Sequence, residues 1–471
     1  MDVELVVIGA GPGGYAAAFL AADLGMKVAI VDQEPRLGGV CLLRGCIPSK
    51  ALLHVARVIA ETGELKDWGI EYSDPEVHID KLRKRKEKVI DTLTGGLKQL
   101  AAKRKVEIIQ ARAQFEDSRT LRLFPVNGKS FDDNLLRFNR CIIATGSRPV
   151  IPTMFSSAGD RIMDSTVALE LPEIPDSLLI VGGGYIGLEM GVVYASLGSR
   201  VTVVEMMDGL LPGADRDLVR PLQKRLEGLF EAIYLNTKVS AVQVNSQVVE
   251  ATFEGAHAGS EKFSRILVAV GRRPNSDNLG IENTKVKVDS HGFIVVDEQR
   301  RTDDPAIYAI GDVAGQPMLA HKAAHEGKTA VEAIAGHNVA FEPRAIPAVV
   351  FTDPEIAWTG VTETEAKQKG IPYEVAVFPW AASGRAQSVG RTEGLTKWLV
   401  DPNTERVIGC GIVGPGAGDL IGEATLAVEM AASVRDVVDT IHPHPTLCET
   451  LGFAAEVFYG TATDLYRPKK K

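Results

Sequence analysis

The chain is poor in cysteine: five occur in 471 residues, and the number is odd. That excludes the dense, even-numbered disulfide framework of small secreted domains and suits a reducing compartment. An excess of positive charge is also missing, with 52 Lys and Arg against 61 Asp and Glu and a net charge of −9. A surface built to coat nucleic-acid phosphates needs clustered cations, so no nucleic-acid partner is expected. The basic run at 81–88 is interleaved with apolar residues at helical spacing and predicts a solvated helix face, and the run at 469–471 predicts a mobile tail. Long apolar stretches are lacking too. At 45% hydrophobic and 24% charged, the sequence predicts no membrane span, which would take about 18 or more apolar residues. A buried strand begins almost at the first residue, so no leader is expected ahead of it, and the location expected is cytoplasmic. The length predicts three or four domains, each able to bury its own core.

What is present begins at the N-terminus. An apolar strand at 4–8 runs into Gly9-Ala10-Gly11-Pro12-Gly13-Gly14, then an alanine-rich helix through Leu24, then a strand at 27–31 that ends on Asp32. Strand, glycine turn, helix, strand and terminal acid make up the dinucleotide-binding fingerprint in its full context. The glycines let the backbone approach a pyrophosphate at the helix N-terminus, where free N–H groups favour an anion, and the acid accepts hydrogen bonds from ribose hydroxyls. The same arrangement returns at Ser177–Val181, Gly182-Gly183-Gly184-Tyr185-Ile186-Gly187, a helix to Leu197, and Arg200–Val204 ending on Glu205. A lone glycine motif is weak; two complete copies imply two bound nucleotides.

Cys141-Ile142-Ile143-Ala144-Thr145-Gly146-Ser147 reads as a buried strand entering a glycine turn, and 266–270 followed by Gly271-Arg272-Arg273-Pro274-Asn275 echoes it. Both look like chain crossings between the two units. A strand at 306–310 ends on Gly311-Asp312, which puts a carboxylate at the carboxyl edge of a sheet, either as a ligand group or as a strand-end cap. From residue 346 the texture changes to strands at 349–351, 374–380, 394–400 and Val407–Val413, with amphipathic helices and proline-rich joints. That pattern predicts an α+β domain with an antiparallel sheet.

Two segments carry reactive groups. In Cys41-Leu42-Leu43-Arg44-Gly45-Cys46-Ile47-Pro48-Ser49-Lys50 the cysteines are five apart. In an ideal helix their Cα atoms would be roughly 8.6 Å apart, beyond the ~7 Å limit of a disulfide. A bridge therefore needs an irregular turn, for which Gly45 is the available site, and Pro48 favours a helix start nearby. Cys46 would then sit near a helix N-terminus, where a thiolate is stabilised; the alternative is two unpaired core cysteines. In His442-Pro443-His444-Pro445-Thr446-Leu447-Cys448-Glu449, a carboxylate five residues after His444 would orient that ring as a base for thiol chemistry, or His444 is a solvated loop residue.

Together these segments resemble the pyridine nucleotide-disulfide oxidoreductases, and among them the enzymes that act on lipoamide. The likeness runs in order through essentially the whole chain, with Gly45-Cys46-Ile47-Pro48-Ser49-Lys50 its most specific motif. It implies an α/β protein with two Rossmann-like dinucleotide-binding domains, for FAD (1–150 with 276–345) and NAD (151–275), plus a C-terminal α+β dimerisation domain (346–471). By resemblance, FAD is held by Gly9, Gly11, Gly14, Asp32, Gly39, Val40 and Ala113, with Thr145, Gly146, Ser147, Gly311, Asp312 and Met318-Leu319-Ala320-His321. The NAD site takes Gly182, Gly184, Tyr185, Ile186, Gly187, Glu189, Glu205, Val239 and Gly271. The family pattern makes Cys41 the interchange thiol and Cys46 the charge-transfer thiol against the flavin, pairs Lys50 with Glu189, and brings His444, oriented by Glu449, from the second subunit of a homodimer. No metal is implied.

The implied reaction oxidises dihydrolipoamide on a lipoyl domain or lipoyl carrier protein, passing electrons through the disulfide and FAD to NAD+, with docking to a dihydrolipoamide acyltransferase core as a further expectation. Glu205 closes the second NAD strand, where a carboxylate suits a free 2′-OH and repels a 2′-phosphate, so NAD is expected over NADP. Leu43 and Arg44 stand where the family commonly has an asparagine and a variable residue, Asp32 replaces a more common glutamate, and Cys448 replaces a serine. The rival readings are an NAD(P)H-dependent reductase of another small disulfide and a docking subunit with degenerate catalysis.

Overall fold

A computed structural model describes residues 2–126, 134–245 and 248–465; the run at 469–471 lies outside them. The strand Asp2–Ile8 is fully buried from Leu5 to Val7. Such a continuous apolar run is what a parallel strand covered on both faces requires. Val28–Asp32 and Leu135–Ile143 flank it in parallel, with Val7 opposite both Ile30 and Ile142. Glu107–Asp117 extends the sheet on one side and Ile307–Ala309 on the other, so a strand from far along the chain completes it.

The second unit repeats the plan. Ser177–Val181 is central, Arg200–Val204 and Arg265–Val268 flank it, and Ala232–Tyr234 and Ile162–Met163 lie outside, all parallel. A separate antiparallel sheet of Thr237–Val244, Val249–Gly255 and Gly259–Phe263 accompanies it. The two crossings form a ribbon in which Ser147–Pro149 pairs antiparallel with Arg272–Pro274, Ser147 lying opposite Pro274.

From Ala348 onward five antiparallel strands are ordered Ala348–Val350, Ile356–Gly360, Val407–Val413, Leu395–Val400, Glu374–Pro379. Ile356–Gly360 is a strand that the sequence reading lacks; its five residues follow Asp353-Pro354 and end on a glycine, too short for alternation to stand out.

Packing joins what the chain order separates. Leu52, Leu53 and Ala56 of the helix Cys46–Glu64 share one core with Leu188 and Val192 of the second unit and with Val350 and Ile356 of the C-terminal sheet. Lys397, 1% exposed, places its ammonium within 2.7–2.9 Å of Asp215, Asp217 and Glu363, tying the second unit to the C-terminal domain. Burial alone would raise the Asp215 carboxyl, but Lys397 and the N–H groups of Glu363 and Thr364 outweigh it and hold it below the usual range.

One expectation is corrected. The 81–88 run is not simply a solvated face: Lys86 is 2% exposed and donates to the Leu169 carbonyl, and Arg83 donates to the carbonyls of Leu171 and Pro172. These cations stitch the helix Ile79–Lys103 to the segment entering the second unit. The helical run Gly39–Trp68, with a mean hydropathy of 1.2, is long and apolar enough to cross a membrane by those measures alone. Gly45 divides it, and its apolar residues contribute to the shared core described above.

Candidate active site

The site is assembled from the glycine turns outward. The helix Pro12–Asp23 starts on Gly11 with no side-chain cap, leaving its first N–H groups free for an anion. A Cβ on Gly14 would stand 1.9 Å from the Gly9 carbonyl oxygen, and one on Gly187 2.2 Å from that of Gly182. These two glycines therefore let helix and strand close together, and neither lines a cleft. Each closing acid is pinned back onto its own turn. Asp32 accepts from the N–H groups of Ala10 (2.6 Å) and Glu34 (2.8 Å), and Glu205 accepts from Gly183 (2.6 Å) and Met207 (2.8 Å). Every carboxylate oxygen keeps a second lone pair for a ribose hydroxyl. Burial holds the Asp32 carboxyl above its ordinary range despite those N–H bonds.

The dithiol follows. Helix Gly39–Arg44 ends at Gly45, whose backbone (φ −147°, ψ −116°) is non-helical, and a new helix begins at Cys46. Pro48 is its third residue, within the first turn, where a missing N–H costs nothing. Both cysteines are free thiols in hydrogen-bond contact with each other. Cys41's thiol, bonding to Cys46, lowers the latter to about 7, against the opposing effect of burial, with Lys50 adding to the lowering. The same bond, together with burial, holds Cys41 far up.

Lys50 Nζ lies 2.9 and 3.0 Å from the two oxygens of Glu189 and 4.3 Å from the centre of the Phe351 ring. Glu189 also accepts from the Phe351 N–H at 3.0 Å. All three structural units meet at this pair. A further chain crosses the ribbon: Arg272 Nε donates to Ser147 Oγ (2.8 Å), whose hydroxyl donates to Asp312 (2.5 Å).

Two clefts open on these groups. The first, between the sheet edge and the dithiol, is lined by Gly9, Gly11, Asp32, Gly39 and Val40, by Cys41, Cys46, Lys50 and Glu189, and by Thr145, Gly146, Ser147, Gly311, Asp312, Met318 and Ala320. The second is lined by Gly182, Gly184, Glu205, Val239 and Gly271, and Leu319 belongs to it. Tyr185, Ile186, Arg272 and Met318 line both, so the clefts adjoin. Ala113 is not among the lining residues; its side chain sits in the apolar core of the first unit. His321 is turned away, its Nε2 2.8 Å from the Pro347 carbonyl oxygen. Arg44, Asn275 and Arg272 line the first cleft without having been assigned there; the echoed Gly271–Asn275 motif, which holds Arg272 and Asn275, was the one hint, and Arg44 had none.

His444 stands apart. Its ring is 78% exposed, Nδ1 lies 2.9 Å from Glu449, and Glu449 accepts from the Thr446 N–H at 2.7 Å. His444 lines neither cleft of its own chain. Cys448 Sγ lies 2.9 Å from Thr446 Oγ1, on the turn that carries the pair.

The family models for pyridine nucleotide-disulphide oxidoreductases and for their dimerisation domain match residues 3–327 and 346–455. The chain belongs to that family. The dihydrolipoyl dehydrogenases of Vibrio cholerae and Haemophilus influenzae are each 50% identical to it, over 100% of this chain and 98% of theirs, and that of Geobacillus stearothermophilus is 43% identical over 98% and 97%. Among solved structures, LpdA from Mycobacterium tuberculosis superposes with a TM-score of 0.89 at 26% identity, over 97% of this chain and 100% of that one. The HOCl-induced flavoprotein disulfide reductase RclA from Escherichia coli gives 0.84 at 27%, over 95% and 98%. The family's cofactors are FAD and NAD, and the clefts suit them: each is lined by the glycine turn before a helix start without a side-chain cap and by a closing acid, Asp32 in the first and Glu205 in the second. The protein is an FAD- and NAD-dependent flavoprotein disulfide oxidoreductase that forms a homodimer.

Proposed function

We propose that the enzyme oxidises protein-bound dihydrolipoamide to lipoamide and delivers the electrons to NAD+, as a dihydrolipoamide dehydrogenase. The observation that carries this is geometric: Cys41 and Cys46 stand as a pair of free thiols in contact, lining the first cleft beside the Lys50–Glu189 pair. That is the state left when a substrate dithiol has reduced a Cys41–Cys46 disulfide. His444, held by Glu449 and supplied by the other subunit, takes a proton from the first substrate thiol. The resulting thiolate attacks Cys41 Sγ, the Cys41–Cys46 bond breaks, and Cys46 leaves as thiolate. The second substrate thiol then attacks the mixed disulfide; lipoamide departs, and Cys41 keeps the proton. Bound FAD would supply the two-electron acceptor that lets Cys41 and Cys46 re-form their disulfide and their electron pair reach NAD+ as hydride. Gly9, Gly11 and Asp32 would hold its adenosine diphosphate part and Asp312 its ribityl chain. Residues 1–150 with 276–345 serve FAD, 151–275 NAD, and 346–471 dimerisation.

The carrier is a lipoyl domain or lipoyl carrier protein, and the net charge of −9 suits a basic docking segment on an acyltransferase core. Cytoplasmic location fits thiol chemistry in a chain of few cysteines. Steady-state assays of dihydrolipoamide against glutathione disulfide and other small disulfides, with NAD and NADP, test the reading. Dihydrolipoamide with NAD should give the highest kcat/KM, and preference for another disulfide would overturn it. In the same assay Glu205→Ala should narrow the NAD/NADP ratio by roughly tenfold, the worth of one charge-assisted hydrogen bond.

A further inference from the structure

The first cleft is lined by two acids, Asp32 and Glu34, beside the glycine turn where, on the proposed reading, the diphosphate of FAD would lie. Glycine-turn N–H groups and a helix N-terminus meet part of that charge. Three cationic side chains line the cleft. Lys50 is committed to Glu189, and Arg272 to Ser147 across the ribbon. The third, Arg44, ends the short helix Gly39–Arg44 and reaches back to Glu34, with Asp32 within electrostatic range. Its Nε is buried and has no hydrogen-bond partner among the described residues, although the side chain as a whole is 30% exposed. A planar fork with one donor idle, paired to an acid at the mouth of an anion site, is half engaged.

We propose that Arg44 is the cation that holds the diphosphate of FAD in this cleft, with Glu34 as its resting partner. Glu34 competes for the fork before the cofactor arrives and keeps the charge at the cleft mouth. Phosphate oxygens can take the guanidinium bidentately, where Glu34 meets only its Nη2, and they carry more charge. The role belongs to the spacing of this chain: position 44 follows the first cysteine by three residues, and Glu34 follows the ribose acid by two.

The test is flavin release from the purified holoenzyme, followed as the appearance of free-flavin fluorescence at fixed temperature. Arg44→Met should release FAD roughly ten- to a hundredfold faster, the span of one hydrogen-bonded charge, and Arg44→Lys should fall between, since it keeps the charge without the fork. Glu34→Gln should release FAD no faster than the parent, because it removes only a competitor. Added salt should speed release from the parent more than from Arg44→Met. Release from Arg44→Met within twofold of the parent would overturn the proposal. So would Glu34→Gln speeding release as much as Arg44→Met, which would make the pair a strut of the fold.

Discussion

At the scale of single residues, the chemistry rests on which sulfur carries the proton. Cys46 is drawn down to about 7 chiefly by the Cys41 thiol, so the thiolate should be lost as pH falls through neutrality. In the two-electron-reduced enzyme the long-wavelength thiolate–flavin absorbance should grow with pH around a midpoint near 7. Cys41→Ala removes the donor and should move that midpoint upward. A midpoint unchanged in Cys41→Ala would show that Lys50 or the helix end, and not the neighbouring thiol, sets the value. Much of this was legible beforehand, because a pair of cysteines around Gly45 followed by Pro48 allows few geometries. Arg44 and Arg272 were not, since a charged residue at a helix end or in a strand announces no partner until folding brings Glu34 or Ser147 alongside.

Among elements, the joints decide how firmly the site is held. Lys397→Met would leave three carboxylates around an apolar side chain, and with the ammonium 1% exposed the loss is about 3–5 kcal/mol. A lower denaturation midpoint and faster proteolysis between the second unit and the C-terminal domain should report it. The turn carrying His444 has its own anchor, His442, whose ring is 8% exposed and bonded to Glu423 at 2.7 Å. That bond raises the His442 pKa above its ordinary value near 6.5. Its contribution is therefore complete below about 6.5 and is lost as pH rises through the raised value. Thermal midpoints of His442→Gln and the parent should differ most at acid pH and converge at alkaline pH; a constant gap would mean packing against Gly452 does the holding.

The elements also show where sequence reading stops. Parallel strands such as Ser177–Val181 were readable because burial on both faces demands an unbroken apolar run. Ile356–Gly360 was not, because five residues are too few for alternation to show, and the cations of Ile79–Lys103 were not, because the carbonyls they bond lie more than eighty residues away.

For the whole molecule, the proposed reading has His444, 78% exposed and outside both clefts of its own chain, supplied across the dimer, so that each site would be a joint product of two chains. Mixing Cys46→Ser with His444→Ala chains should recover activity from two inactive parents. Random reassortment gives about a quarter of normal activity and pure heterodimer about half, because only one of its two sites draws both intact residues. Heterodimers shown to form yet remaining inactive would place both residues in one chain. The shared core around Leu52, Leu188 and Val350 adds that the nucleotide units should not melt separately: flavin release and loss of helix on heating should coincide, and two resolved transitions would contradict it.

The ribbon of Ser147–Pro149 and Arg272–Pro274 bears on ancestry. Entry to and exit from the second unit are neighbouring strands, so that unit is an insertion whose ends abut, and removing it on paper leaves the strand order of its host unchanged. A single duplication, with one copy dropped into a surface turn of the other, accounts for the two nucleotide units without reordering a strand of the host.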